Sequence, residues 1–352
     1  MAINTRSPYY VDIVSATIDS AKIEIWIYDG DKGTSLQDPD YTLTKSKAGV
    51  STKVSFEIAE LIRDYLDVTF SGSYSSQAVW VKTIITAIDS QGGNIYNQTA
   101  TQLALDSYTY FEDVGSFDID EEPLFISNRT IFSLANNSFK TPIFTDDSPT
   151  VALFRQGVQL SSTTYSASNL TSEQIEYITI NPPNTSASNI VDQIKVSDSN
   201  GDHFVTVKTI EECKFEPKKV TFINKFGALQ DMYFFKKSVE KINVSKESYK
   251  ANIIDSGNSY SKSNHINREF NVSGNESISL SSGFLNEDYN EVFKQLLLSE
   301  KVWITGIKSG VEQTLPINVI TSNMTFKTSL NDRLVEYTLD FAYSFNIINN
   351  IR

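Results

Sequence analysis

Along "KIEIWIYDGDKG", residues 22–33, Ile23, Ile25 and Ile27 alternate with Glu24, Trp26 and Tyr28 before a turn rich in Asp and Gly. A period of two that ends at such a turn predicts a half-buried antiparallel strand. "SSQAVWVKTIITAIDSQGGNIYNQ" repeats the pattern, with Val79, Val81, Ile84 and Ile85 ahead of Gly92-Gly93 and a returning strand. Between them the period changes in "VSFEIAELIRDYLDV". There Ser55 as N-cap, Glu57 and Glu60 near the positive end, and Ile58, Leu61, Ile62, Tyr65 and Leu66 along one face predict a short helix. Residues 1–112 are expected to form an immunoglobulin- or fibronectin-like β-sandwich carrying that helix.

Residues 113–214 are expected to form a second β domain. Strand candidates lie at Thr150–Phe154, Ile175–Ile180, Asp192–Val196 and His203–Ile210, with turn-formers between them and a hairpin around Asn200-Gly201. Pro182-Pro183 followed by "NTSAS" reads as a surface loop.

Residues 215–352 are expected to form a C-terminal β module, barrel or sandwich, with one amphipathic helix at 286–299. In that helix Tyr289, Val292, Phe293, Leu296 and Leu297 make the apolar stripe, Asn286 is the expected N-cap, and Glu287 and Asp288 fall in the first turn. "SEKVWITGI" reads as the next strand, and "RLVEYTLDFAYSF" alternates through its whole length as one long strand. In "KKVTFINKFGALQDMYFFKKS", Gly227 interrupts two aromatic-rich strands, so a turn or bulge with positive φ is expected there and the stretch reads as core. The fold class is mainly β and multi-domain.

Composition narrows the function. The chain has 352 residues, 40% hydrophobic and 21% charged, which suits two or three globular domains. Its formal net charge of −13 argues against direct nucleic-acid binding, since the basic pairs at Lys218 and Lys236 are too small a patch for a phosphate backbone. One cysteine, Cys213, fits a reducing compartment, and neither a secretion signal nor a membrane span is expected. Sequons such as Asn136-Asn137-Ser138 and Asn275-Glu276-Ser277 follow from an Asn/Ser/Thr-rich composition.

Candidate chemistry is sparse. His203 reads as a strand residue and His265 as a loop residue, and neither has a spacing that suggests a nucleophilic triad. "DGDKG" at Asp29–Gly33 and "DSNGD" at Asp198–Asp202 gather oxygen ligands at alternate positions, as calcium would require, yet both fall where hairpin turns are expected. The carboxylates Asp118, Asp120, Glu121 and Glu122 read as an acidic linker rather than a glycosidase pair. No catalytic, cofactor-binding or metal-ligating residue is assigned, and no cofactor is expected.

Four segments, "INTRSPYY", "FEIAELIRDYL", "FINKFGALQDMYFF" and "VEYTLDFAYSFNIINNIR", resemble virion proteins of tailed bacteriophages infecting Bacteroidota, the crAss-like phages and their relatives. The C-terminal pattern also resembles β-barrel modules of phage tail tubes, hubs and baseplates. The resemblance implies a structural, non-enzymatic subunit of the tail, hub, baseplate or neck. Such a subunit would assemble in the bacterial cytoplasm, with copies of itself in a ring and neighbouring tail or neck proteins as partners. A receptor- or carbohydrate-binding tail protein is the alternative, since exposed aromatics can stack on sugars, and a glycan depolymerase comes third.

Overall fold

The computed structural model describes residues 2–348 apart from 31, 36, 114–117, 135–137, 146–147, 166–174, 181–190, 213, 309–310 and 327–333, with backbone alone at 120, 308, 334 and 335. The protein is mainly β and multi-domain, built from several sheets in sandwich-like arrangements. Its chain forms two compact units: Met1–Glu211 with Thr221–Tyr233 and Asp288–Ser299, and Glu212–Val220 with Phe234–Glu287 and Glu300–Arg352. The division is discontinuous, whereas the sequence pattern suggests consecutive segments.

The first unit begins with strands β1 (Ile3–Asn4), β2 (Tyr10–Val14), β3 (Ile18–Tyr28), β4 (Tyr41–Ser46), β5 (Lys53–Glu57), β6 (Val79–Asp89) and β7 (Asn94–Leu105). A five-stranded sheet runs β1-β7-β6-β3-β4, and β2 pairs with β5 as a separate ribbon. Ile13 of β2 and Val54 and Phe56 of β5 share a buried cluster with Ile23, Ile25, Ile27, Val81 and Ile85 of the sheet. The alternation read from residues 23–28 is the alternation that packs. Helix α1 is one turn shorter at each end than expected, spanning Ala59–Arg63. Ser55 does not cap it: Ser55 lies in β5 and donates to Asp12 Oδ1 at 2.6 Å, while Glu57 Oε1 accepts the Ala59 N–H at 2.9 Å. The ribbon's demand for a β5 residue opposite Asp12 overrides the capping propensity.

The same unit continues with β8 (Thr130–Leu134), β9 (Phe139–Phe144), β10 (Thr150–Arg155), β11 (Val158–Thr164), β12 (Ile175–Ile180), β13 (Gln193–Asp198) and β14 (Gly201–Ile210). A sheet in the order β11-β10-β13-β14-β8 shares a core with the β9-β12 pair through Ile143, Val151, Ile178, Ile180, Ile194, Val196 and Val205. The expected hairpin at Asn200-Gly201 is present, with Asp198 opposite Gly201. The Pro182-Pro183 loop and the Asn136-Asn137 sequon lie outside the described residues.

The remaining elements are β15 (Lys218–Ile223), β16 (Leu229–Phe234), β17 (Ser238–Lys250), β18 (Asn267–Ser281), β19 (Leu285–Asn286), helix α2 (Tyr289–Leu298), β20 (Val302–Lys308), β21 (Val311–Val319), β22 (Leu334–Val335) and β23 (Thr338–Asn346). In the second unit β20, β21, β23, β18 and β17 pair in that order, and Ile278, Leu280, Leu339 and Phe341 are buried there. The long strand expected from "RLVEYTLDFAYSF" is broken. Glu336 and Tyr337 interrupt it, Leu334 pairs with Asn286, and Ser282 Oγ accepts the Tyr337 N–H at 3.1 Å. Pairing with Leu334 also removes Asn286 from the helix end, so it is not the N-cap. Asp288 holds that position without a side-chain cap bond.

Candidate functional site

The aromatic turn between β15 and β16 belongs to the first unit from Thr221 to Tyr233. Phe222, Ile223, Phe226, Ala228, Leu229, Met232 and Tyr233 are all buried. Gly227 has φ +77°, and a Cβ there would stand 3.1 Å from the backbone nitrogen of Asp106. Close backbone approach and a left-handed φ both require glycine. Phe125 stacks on Phe226 at 5.2 Å and on Phe144 at 5.0 Å between ring centroids. The expectation of core is met at these residues.

What the sequence did not announce is a buried polar network around that turn. Asn224 Oδ1 accepts the N–H groups of Phe226 and Ala228 at 3.0 and 3.1 Å, closing the turn from within. Its Nδ2 donates to the Phe125 carbonyl at 2.6 Å and to Gln230 Oε1 at 3.0 Å. Gln230 Oε1 also accepts the Ser127 N–H at 2.9 Å. The Ser127 hydroxyl lies 2.7 Å from Gln230 Oε1 and 2.6 Å from Gln295 Oε1, so its single proton serves one of the two at a time. Gln295, fully buried on α2, accepts the Lys225 N–H at 3.0 Å and donates Nε2 to Glu291 at 2.7 Å. Glu291 in turn accepts the Tyr110 hydroxyl at 2.7 Å. Three resemblance-bearing or helical segments thus meet here, because Arg6 of "INTRSPYY" donates to the Leu298 carbonyl at 3.0 Å, a cation at the helix's negative end.

The chemistry of this network is that of fixed donors. Burial, reinforced by Glu291, pushes the Tyr110 phenol far above its ordinary value. Burial, with Asp231 beside it, does the same at Tyr74, whose hydroxyl donates to Asp231 Oδ2 at 2.6 Å. Tyr177 and Tyr289 are likewise raised by burial. These phenols stay protonated at neutral pH: Tyr110, Tyr74 and Tyr289 donate to Glu291, Asp231 and the Thr130 carbonyl, and the Tyr177 hydroxyl accepts the Leu229 N–H at 2.8 Å.

The residues weighed for chemistry lie apart from one another in sequence and serve local roles. Asp198 Oδ1 accepts the N–H groups of Asn200 and Gly201 at 2.9 and 3.0 Å, which closes the hairpin, with His203 Nε2 3.8 Å away. Asp202 pairs with Lys195 at 2.7 Å, and that ammonium together with the Ser197 hydroxyl holds its carboxyl below the usual range. His265 is exposed in the connection between β17 and β18. Glu122 lies 3.6 Å from Arg129. Asp31, Cys213 and the Asp120 side chain fall outside the described residues. Among the described residues no cluster of His, Cys, Asp and Glu could hold a metal ion, and no helix is long and apolar enough to cross a membrane.

Among the described residues, a cleft and a two-stranded ribbon stand out on the surface. A cleft of about 420 Å³ in the first unit is lined by Asp29, Tyr65, Asp67, Gln77 and Trp80, among others. In the second unit β17 and β18 pair over Ser238–Lys250, and β23 joins β18 only from Asn275 onward, with one further bond from Ile347 to the Gly274 carbonyl. Among the described residues, Val244–Lys250 and Ser273–Asn267 therefore form a ribbon of two strands alone. It presents Val244, Tyr249, Phe270 and Val272 with 41–57% of their surface exposed.

No protein-family model matches the chain, and no curated protein matches it. Among solved structures, the crystal structure of CBD12 from CALX1.2 aligns with 56% of this chain and 74% of its own length, at 9% identity and a TM-score of 0.16.

Proposed function

We propose that this chain is a structural subunit of a tailed bacteriophage particle, in the tail, hub, baseplate or neck, and that it works by protein–protein contact rather than catalysis. Its partners in this reading are copies of itself arranged in a ring and the adjoining tail or neck proteins, and its place is the virion, after assembly in the host cytoplasm. The observation that carries the reading is the two-stranded ribbon of β17 and β18. Its aromatic and β-branched side chains face solvent, where a protein that worked alone would place polar ones. The likeness of four segments to phage virion proteins supplies the setting. The buried network fits the same reading, because Asn224, Gln230 and Gln295 hold backbone groups and rigidify a scaffold. Antibody or gold labelling of this chain in negatively stained particles tests the proposal. Label at the neck or along the tail axis is expected; label at fibre tips alone contradicts it.

A second reading, a carbohydrate-binding tail protein, is favoured by the 420 Å³ cleft, where the half-exposed ring of Tyr65 stands with the carboxylates of Asp29 and Asp67. Binding of host surface glycans that is lost in Tyr65→Ala would support it over the first.

A further inference from the structure

We infer that the β17–β18 ribbon, with the connection between its strands, is an arm that docks on the acidic body of a second copy of this chain. The inference deepens the structural-subunit reading and rests on it. Strand β17 is the edge of its sheet, so among the described residues its outer hydrogen-bonding rim and both faces of the ribbon are open beyond Val244. A lone two-stranded ribbon is marginal in water, and this one exposes Val244, Tyr249, Phe270 and Val272 while its tip exposes Ile254 and Tyr260. At the tip these last two, with Ile253 and Ile266, line an apolar recess of about 540 Å³. Such a surface calls for a cover.

Charge indicates which cover. Residues 244–274 carry four basic side chains, Lys246, Lys250, Lys262 and Arg268, against three acidic ones, Glu247, Asp255 and Glu269. The chain as a whole has a formal net charge of −13, so the acidic excess lies entirely outside the arm. Two bodies repel one another, whereas a slightly basic arm meets an acidic body without that penalty. An arm that binds a different patch on the next copy makes a head-to-tail contact, and such contacts close into rings or propagate as stacks.

Sedimentation equilibrium of the full chain at rising concentration tests this, with two variants beside it: Tyr249→Ser with Phe270→Ser, and Lys250→Glu with Lys262→Glu. The wild type is expected to self-associate, and each variant to weaken association about tenfold or more. A monomer at every concentration, or association that neither variant changes, overturns the inference. Since a ribbon variant could alter folding, hydrogen exchange of wild-type residues 244–274 gives an independent reading. Protection that grows with concentration supports docking, and protection independent of concentration contradicts it. A photo-crosslinker at Ile254, in mixed isotope-labelled copies, should join the arm to acidic body peptides of the other copy; arm-to-arm products alone would overturn the assignment. Arm-independent association would leave the subunit reading standing, while absence of the chain from particles with arm-dependent association intact would remove that reading and not the arm.

Discussion

Gln295 on helix α2 accepts the backbone N–H of Lys225 at 3.0 Å, although the two are 70 residues apart in the chain. One buried amide therefore ties the helix to the aromatic turn. Gln295→Leu keeps the volume but leaves the Lys225 N–H without its acceptor and removes one of the two donors to Glu291 Oε1, the Tyr110 hydroxyl remaining, and should cost about 1–3 kcal/mol in chemical denaturation. A neutral result would show that water replaces the amide and that the network is not a structural tie.

Gly227 should be intolerant of substitution. Its φ of +77° and a Cβ position 3.1 Å from the Asp106 backbone act together, so Gly227→Val should cost about 2 kcal/mol or more. Gly92 is the control: it too has positive φ, but nothing stands within 4 Å of its Cβ position. If both changes cost the same, the close approach to Asp106 contributes nothing.

Leu296 is fully buried on α2, and Leu296→Ala should cost about 2–5 kcal/mol. Lys294, whose ammonium lies 3.6 Å from the centre of the Tyr110 ring, should lose no more than about 1 kcal/mol on change to Ala. Equal and small losses at both would mean that the apolar stripe does not anchor the helix.

The chain should lose stability in alkali. Desolvation raises the folded pKa values of partly buried Tyr74, Tyr110 and Tyr177 and of buried Tyr289 above the ordinary 10.0, so their contribution is complete below about pH 10 and falls as pH rises toward the raised values. Melting temperature measured between neutral pH and pH 11 should fall steeply at the upper end. Tyr289→Phe, which also gives up the bond to the Thr130 carbonyl, should lower stability at neutral pH and flatten that alkaline fall. An unchanged alkaline limb in this variant would show that Tyr289 does not take part.

Much of the fold was legible because local pattern and tertiary packing agree. The period of two at Ile23, Ile25 and Ile27 is the buried face of β3, and Gly227 was marked by its position between two aromatic runs. Legibility failed where a distant partner decides the outcome. Ser55 has the chemistry of a cap, but β2 recruits it into a strand; Asn286 has the same chemistry, and Leu334 claims its backbone. Glu336 and Tyr337 continue an unbroken alternation, yet the Ser282 hydroxyl accepts the Tyr337 N–H and the Ser282 N–H donates to the Tyr337 carbonyl, which redirects the chain there. The network of Asn224, Ser127, Gln230 and Gln295 leaves no local signature, since its members come from three separate stretches.

The proposed role of this chain is that of a repeated structural subunit of a phage particle. Its most direct test is quantitative mass spectrometry of purified virions, calibrated against the major capsid protein. A fixed number of several copies per particle is expected, unchanged in particles carrying His203→Ala with His265→Ala, which should remain infectious. Absence of the chain from purified particles, or a single copy in each, would contradict it.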